Sequence, residues 1–145
     1  MQSLVIALVA LLAGYSSLSF ARSCNFPDDI WFEINANGLS AQEKLKVARL
    51  VEKAMSREGI PVIVAVGHAD TQEGSSAHQQ SLSLQRAESV REYIGRNWPE
   101  LARRTHVEGA ASRQRLSSSE NAKNRRVEIV VYCNDTAMPI FPRKP

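Results

Sequence analysis

Apolar and polar positions change register along the chain, and each register predicts an element. Ile30 to Ile34 is a short aromatic and β-branched run suited to a first strand, broken by Asn35 to Gly38. Ser40, followed three residues later by Glu43, has the form of a capping box. Leu45, Ala48, Val51 and Met55 then recur at helical spacing, so a helix opens there and ends by Gly59. Pro61 to Val66 is an uninterrupted apolar run, as expected of a strand covered on both faces in the middle of a sheet. Ser76 and Gln79 repeat the capping-box pattern and open a second helix that runs to about Asn97, where Trp98-Pro99 stops it. Thr105 to Gly109 predicts a third strand with Val107 its clearest apolar member. In the last strand Val127, Ile129 and Val131 alternate with Glu128, Val130 and Tyr132. This order predicts a two-layer α/β domain, with helices on one face of a four-stranded sheet.

The ends of the chain read differently. Leu4 to Leu12 is apolar, small residues follow to Ser19-Phe20-Ala21, and the first charged side chain is Arg22. This segment reads as a signal peptide over residues 1–21 with cleavage after Ala21, too short for a membrane span of about 20 apolar residues. Removing it leaves roughly 120 residues, enough for one core and one domain. That domain is expected over 22–133, with a flexible proline-containing tail over 134–145.

A formal net charge of +3 would permit contact with nucleic acid, but an exported chain rarely meets it. An anionic wall or membrane surface is the expected neighbour. The clusters Arg103-Arg104 and Arg113 to Arg115 are read as a solvated face. The two cysteines, Cys24 and Cys133, lie at the ends of the mature chain, and an even count in an exported protein suggests a disulfide. The alternative is lipidation of Cys24, for which Arg22-Ser23 is a poor preceding pair.

One position breaks the pattern of the second helix. Leu82, Arg86, Val90 and Ile94 lie four residues apart on one stripe, and three of them belong against the sheet. A guanidinium on that stripe costs free energy unless it is paired. Asp70, at the carboxyl end of the preceding strand, is the expected neighbour. Either the two form a salt bridge that closes the loop, or they are held apart to meet a ligand carrying both an ammonium and a carboxylate. Arginine suits the carboxylate through its planar fork.

Three segments now match a known family in order: Gly67-His68-Ala69-Asp70, then Leu82-Ser83-Leu84-Gln85-Arg86-Ala87-Glu88-Ser89-Val90, then Asn124-Arg125-Arg126-Val127-Glu128. The pattern resembles GHxD, LSxxRAxxV and NRRVE of the OmpA-like peptidoglycan-binding domain, from Trp31-Phe32 to Glu128. The resemblance implies a mixed four-stranded sheet with the last strand antiparallel beside the first, which would make Cys24 and Cys133 neighbours. It also implies non-covalent binding of the diaminopimelate residue of the peptidoglycan stem peptide. Asp70 looks like the key acid and Arg86 the key base, with Asn35, Gln79 and Arg125 as further contacts and Leu82 at the pocket edge. Localisation in the periplasm, at the cell wall or outer membrane, follows from the same likeness.

The chain departs from the family at His78 and Gln79, where an aromatic residue and Asn are usual. Its Asp70 to Arg86 loop is one residue longer, around Thr71-Gln72-Glu73-Gly74. A protein-binding module of the same fold, with a weakened pocket and a periplasmic or outer-membrane protein as partner, is therefore the alternative. No nucleophile elbow, metal-ligand spacing or paired carboxylate motif is present. No catalytic residue, metal or cofactor is expected, and the three histidines read as structural or surface residues.

Overall fold

The computed structural model describes residues 27–57, 59–118 and 121–133. The expected signal peptide, Cys24 and the tail over 134–145 lie outside the described residues. Among these, β1 (Asp28–Trp31), β2 (Val62–Gly67), β3 (Thr105–Gly109) and β4 (Arg126–Tyr132) form one mixed sheet in the order β1-β4-β2-β3. β4 runs antiparallel to both β1 and β2, while β2 and β3 are parallel. The helices are α1 (Ala41–Met55) and α2 (Ser76–Asn97), and short 3-10 turns precede β3 and β4.

The alternation of the strands decides which face the helices cover. Ile30, Ile63, Ala65, Val127, Ile129 and Val131 join one cluster with Val47, Leu50, Val51 and Ala54 of α1 and Ala87, Val90 and Ile94 of α2. One strand face therefore meets both helices, as the two-layer expectation requires. β2 has neighbours on both edges and Val62 to Ala65 are buried, in keeping with its uninterrupted apolar run.

Four local expectations are corrected. The first strand is Asp28–Trp31 instead of Ile30 to Ile34, because Asn35 adopts φ 55° and the chain turns at Glu33 to Ala36, leaving Ile34 exposed. Asn is among the side chains that tolerate this left-handed backbone. On α1 the buried stripe is Val47, Leu50, Val51 and Ala54, whereas Leu45 is exposed. The cap of α2 is Ser75, whose hydroxyl accepts from the His78 N–H at 3.3 Å, and Ser76 is the first helical residue. Ser40 does cap α1, accepting from the Glu43 N–H at 3.2 Å, but the Glu43 carboxylate accepts from the Trp31 N–H instead of closing the box.

Two glycines bring α2 close to the sheet. Gly67 and Gly109 are paired across β2 and β3. A Cβ on Gly67 would lie 1.8 Å from the Ser83 carbonyl oxygen, and one on Gly109 would lie 2.8 Å from Ser83 Oγ. The bare platform lets Ser83 Oγ accept from the Ala111 N–H at 3.0 Å while donating to the Gln80 carbonyl at 2.9 Å. Adding one methyl at Gly67 must push backbone against backbone. Gly67→Ala is expected to destabilise the domain by about 3 kcal/mol or more in urea denaturation. Gly38→Ala, with nothing within 4 Å of the added carbon, should change stability by less than about 0.5 kcal/mol.

Candidate ligand-binding site

Arg86 is fully buried, and its charge is matched by a residue that the sequence reading did not assign: Glu73. Arg86 Nη2 donates to Glu73 Oε1 at 2.5 Å and Nη1 donates to Oε2 at 2.8 Å. The remaining guanidinium hydrogens go to backbone carbonyls. Nε donates to Ala36 at 2.8 Å, Nη1 to His68 at 3.0 Å and Nη2 to Glu33 at 3.1 Å. All five donors of the fork are therefore used. The guanidinium carbon also stands 5.4 Å from the Phe32 ring centroid, within cation–π range.

Glu73 is equally complete. Besides Arg86, Oε1 accepts from the Asn35 N–H and Oε2 from the Asp70 N–H, both at 2.8 Å. Burial alone would raise this carboxyl, but the Arg86 guanidinium and the two backbone N–H groups outweigh it and hold the pKa below its ordinary value. The left-handed turn at Asn35 aims that N–H inward, so the backbone of Asn35 contacts the ion pair while its side chain is exposed.

Asp70 is not paired with Arg86. Its Oδ1 accepts from the Gln72 N–H at 2.8 Å, and its Oδ2 accepts from Asn124 Nδ2 at 3.1 Å. Asn124, almost wholly buried, also donates to the Ser117 carbonyl and accepts from the N–H groups of Leu116 and Ser117. This single amide joins the acid at the end of β2 to the loop before β4. Gln79 Nε2 donates to the Gly74 carbonyl at 2.7 Å and the Thr71 carbonyl at 3.4 Å, so the amide holds the same loop from inside. Leu82 is buried.

Arg125 stands apart, half-buried, with Nε donating to the Phe32 carbonyl at 3.2 Å. It lines a cleft of about 470 Å³ together with Trp31, Phe32, Glu33, Ala36, Gln42, Glu43 and Lys123. Glu33 and Ala36, which line this cleft, also supply the carbonyls that accept from Arg86. The six expected contacts thus divide into two groups. Asp70, Arg86, Gln79 and Leu82 are buried, Arg125 faces the cleft, and Asn35 reaches the buried group only through its backbone N–H to Glu73. Among the described residues no group of three or more His, Cys, Asp and Glu side chains could hold a metal ion. Glu73 was missed because it lies in a polar loop without periodicity, although the extra residue of that loop marked the place.

His68 sits behind the site, nearly fully buried, with its imidazole unbonded and Nε2 3.6 Å from Glu128. Arg126 is buried beside it, bonded to Glu128 and to the Gln114 carbonyl. Desolvation first, and then the Arg126 charge, lower the His68 pKa from 6.5 to about 4. In the unfolded chain His68 binds a proton below about 6.5, whereas in the fold it does so only below about 4. Its contribution to stability is therefore present above pH 6.5 and is lost as pH falls toward 4. Unfolding free energies should fall across that window, with His68 contributing at most about 1.4 kcal/mol per pH unit. His68→Leu should flatten the slope between pH 6.5 and 4; an unchanged slope would remove His68 as its source.

No protein-family model matches the sequence, and no curated protein matches it. Solved structures do. The C-terminal domain of Helicobacter pylori MotB shares 19% identity over 75% of this chain and 87% of its own, with a TM-score of 0.63. The cell wall anchor of the T6SS from Pseudomonas aeruginosa shares 20% over 77% and 87%, with a TM-score of 0.60. The OmpA-like domain of FopA1 from Francisella tularensis shares 20% over 75% and 79%, with a TM-score of 0.59. The sheet order, the antiparallel contact of the last strand with the first, and these likenesses agree: the chain has the fold of OmpA-like domains.

Proposed function

We propose that the protein is a non-catalytic binding module for peptidoglycan, which it meets through the diaminopimelate residue of the stem peptide. The observation that carries this reading is the convergence on one carboxylate of the Arg86 fork and the N–H groups of Asn35 and Asp70. Such a set of donors suits an amino-acid carboxylate, and the Asp70 carboxylate beside it suits the neighbouring ammonium. Arg125 and the adjoining cleft extend the site toward the rest of the peptide. Support also comes from the solved structures of similar fold, which include a peptidoglycan-associated lipoprotein from Burkholderia pseudomallei, 19% identical over 71% of this chain and 88% of its own, with a TM-score of 0.59. In the same reading the chain is exported, residues 1–21 are removed as a signal peptide, residues 22–133 form the wall-binding domain, and the protein works at the wall or outer membrane. A Cys24–Cys133 disulfide belongs to this picture; Cys133 is buried just beyond β4 and is not a free thiol.

A second reading, binding of another periplasmic protein, is favoured by two observations: the carboxylate position is already filled by Glu73, and Gln79 is engaged within its own loop. Co-sedimentation separates the two. The protein should pellet with diaminopimelate-type sacculi at low salt, and Arg125→Ala, whose loss leaves the core intact, should weaken binding roughly tenfold, in line with the loss of one charged hydrogen bond. Asp70→Ala should abolish binding in protein shown to be folded by circular dichroism. Folded wild type left in the supernatant would sink the wall reading and favour a protein partner.

A further inference from the structure

The group formed by Arg86, the Asn35 N–H and the Asp70 N–H is a receptor for a single planar carboxylate, and its occupant comes from the protein itself. We infer that Glu73 is an internal stand-in for a ligand carboxylate and holds the receptor closed in the free protein. This rests on the reading of the site as a carboxylate-binding one.

Three observations support it. The four bonds to Glu73, at 2.5 to 2.8 Å, come from α2, from the turn after β1 and from the start of the β2–α2 loop, so the receptor is assembled by three separate segments. Of the five residues Thr71 to Ser75, Glu73 alone is buried; Thr71, Gln72, Gly74 and Ser75 are exposed. The occupant therefore hangs from a surface loop and can leave without disturbing the hydrophobic cluster. Gly74, at φ +105°, stands directly beside it in a backbone conformation suited to glycine. Gln79 holds the loop through the Thr71 and Gly74 carbonyls, and these two bonds must break when the loop lifts.

A ligand carboxylate entering this receptor must displace Glu73, so the apparent affinity is the intrinsic one reduced by the fraction of molecules in which Glu73 has left. The loop then sets the affinity of the site. A domain with the stand-in removed should bind an external carboxylate more tightly than the wild type does.

The test compares wild type, Glu73→Ala and Glu73→Gln in sodium acetate and in sodium chloride of equal ionic strength. Glu73→Ala leaves Arg86 buried without its counter-ion, so its Tm in chloride should fall by many degrees. Acetate should restore several degrees in a saturable manner, or induce folding if the variant is unfolded in chloride. Wild type and Glu73→Gln, in which the receptor is filled, should show equal Tm values in the two salts. Free meso-diaminopimelate, titrated against the folded wild type and Glu73→Gln by NMR, should bind the variant at least fivefold more tightly, since a neutral amide is displaced more easily than a carboxylate. Acetate rescue of Glu73→Ala without any diaminopimelate or sacculus binding would uphold the stand-in and defeat the wall reading. Sacculus binding by wild type with no acetate effect on Glu73→Ala, and equal diaminopimelate affinity in Glu73→Gln, would overturn the stand-in and leave a structural ion pair.

Discussion

The ion pair between Glu73 and Arg86 is the constraint on which the upper end of this domain depends. Seven hydrogen bonds connect the pair to itself and to Glu33, Asn35, Ala36, His68 and Asp70. Removing two full charges from water is costly, and the cost is offset only where geometry is good and the remaining donors and acceptors are satisfied. Here every guanidinium hydrogen and every carboxylate lone pair has a partner. The turn after β1, the end of β2 and the middle of α2 are consequently held in a single arrangement, and each segment contributes backbone groups that would otherwise be buried without partners.

Around that pair, the residues of the three sequence motifs have separable physical roles. Gly67 and Gly109 leave the sheet bare beneath Ser83, so that α2 approaches closely enough for Arg86, one turn further along, to reach the ends of β1 and β2. Asn124 satisfies all its amide groups by tying Asp70 to the loop before β4. Arg126 and Glu128 occupy the same strand near His68 and set its electrostatic surroundings. The motif acid is thus held by an amide and a turn N–H, and the motif base is answered by the loop's own carboxylate.

The arrangement separates a closed inner site from an open outer one. Arg86, Glu73 and Asp70 are shielded from solvent, whereas Trp31, Lys123 and Arg125 border an accessible cleft. Phe32, Glu33 and Ala36 are shared between them: all three line the cleft, and Arg86 faces the Phe32 ring and donates to the carbonyls of Glu33 and Ala36.

Much of the fold was legible in the sequence because it rests on periodicity. The run Pro61 to Val66, the alternation from Val127 to Val131 and the four-residue stripe from Leu82 to Ile94 each state which faces are buried, and the sheet and α2 follow them. The unusual Arg86 on that stripe was legible for the same reason, as was the need for a negative partner. The identity of the partner was not. Asp70 and Glu73 are both buried acids of the same loop, and Glu73 is the one that meets Arg86 while also accepting an N–H from the Asn35 turn, 38 residues away. Likewise the exposure of Leu45 and the cap at Ser75 depend on how each helix meets the sheet and on the course of the preceding loop. Patterns along the chain determine what must be buried, because burial of apolar surface is a property of single segments. Only the tertiary structure decides which polar groups meet, because a buried charge is satisfied by donors and acceptors brought from several segments at once.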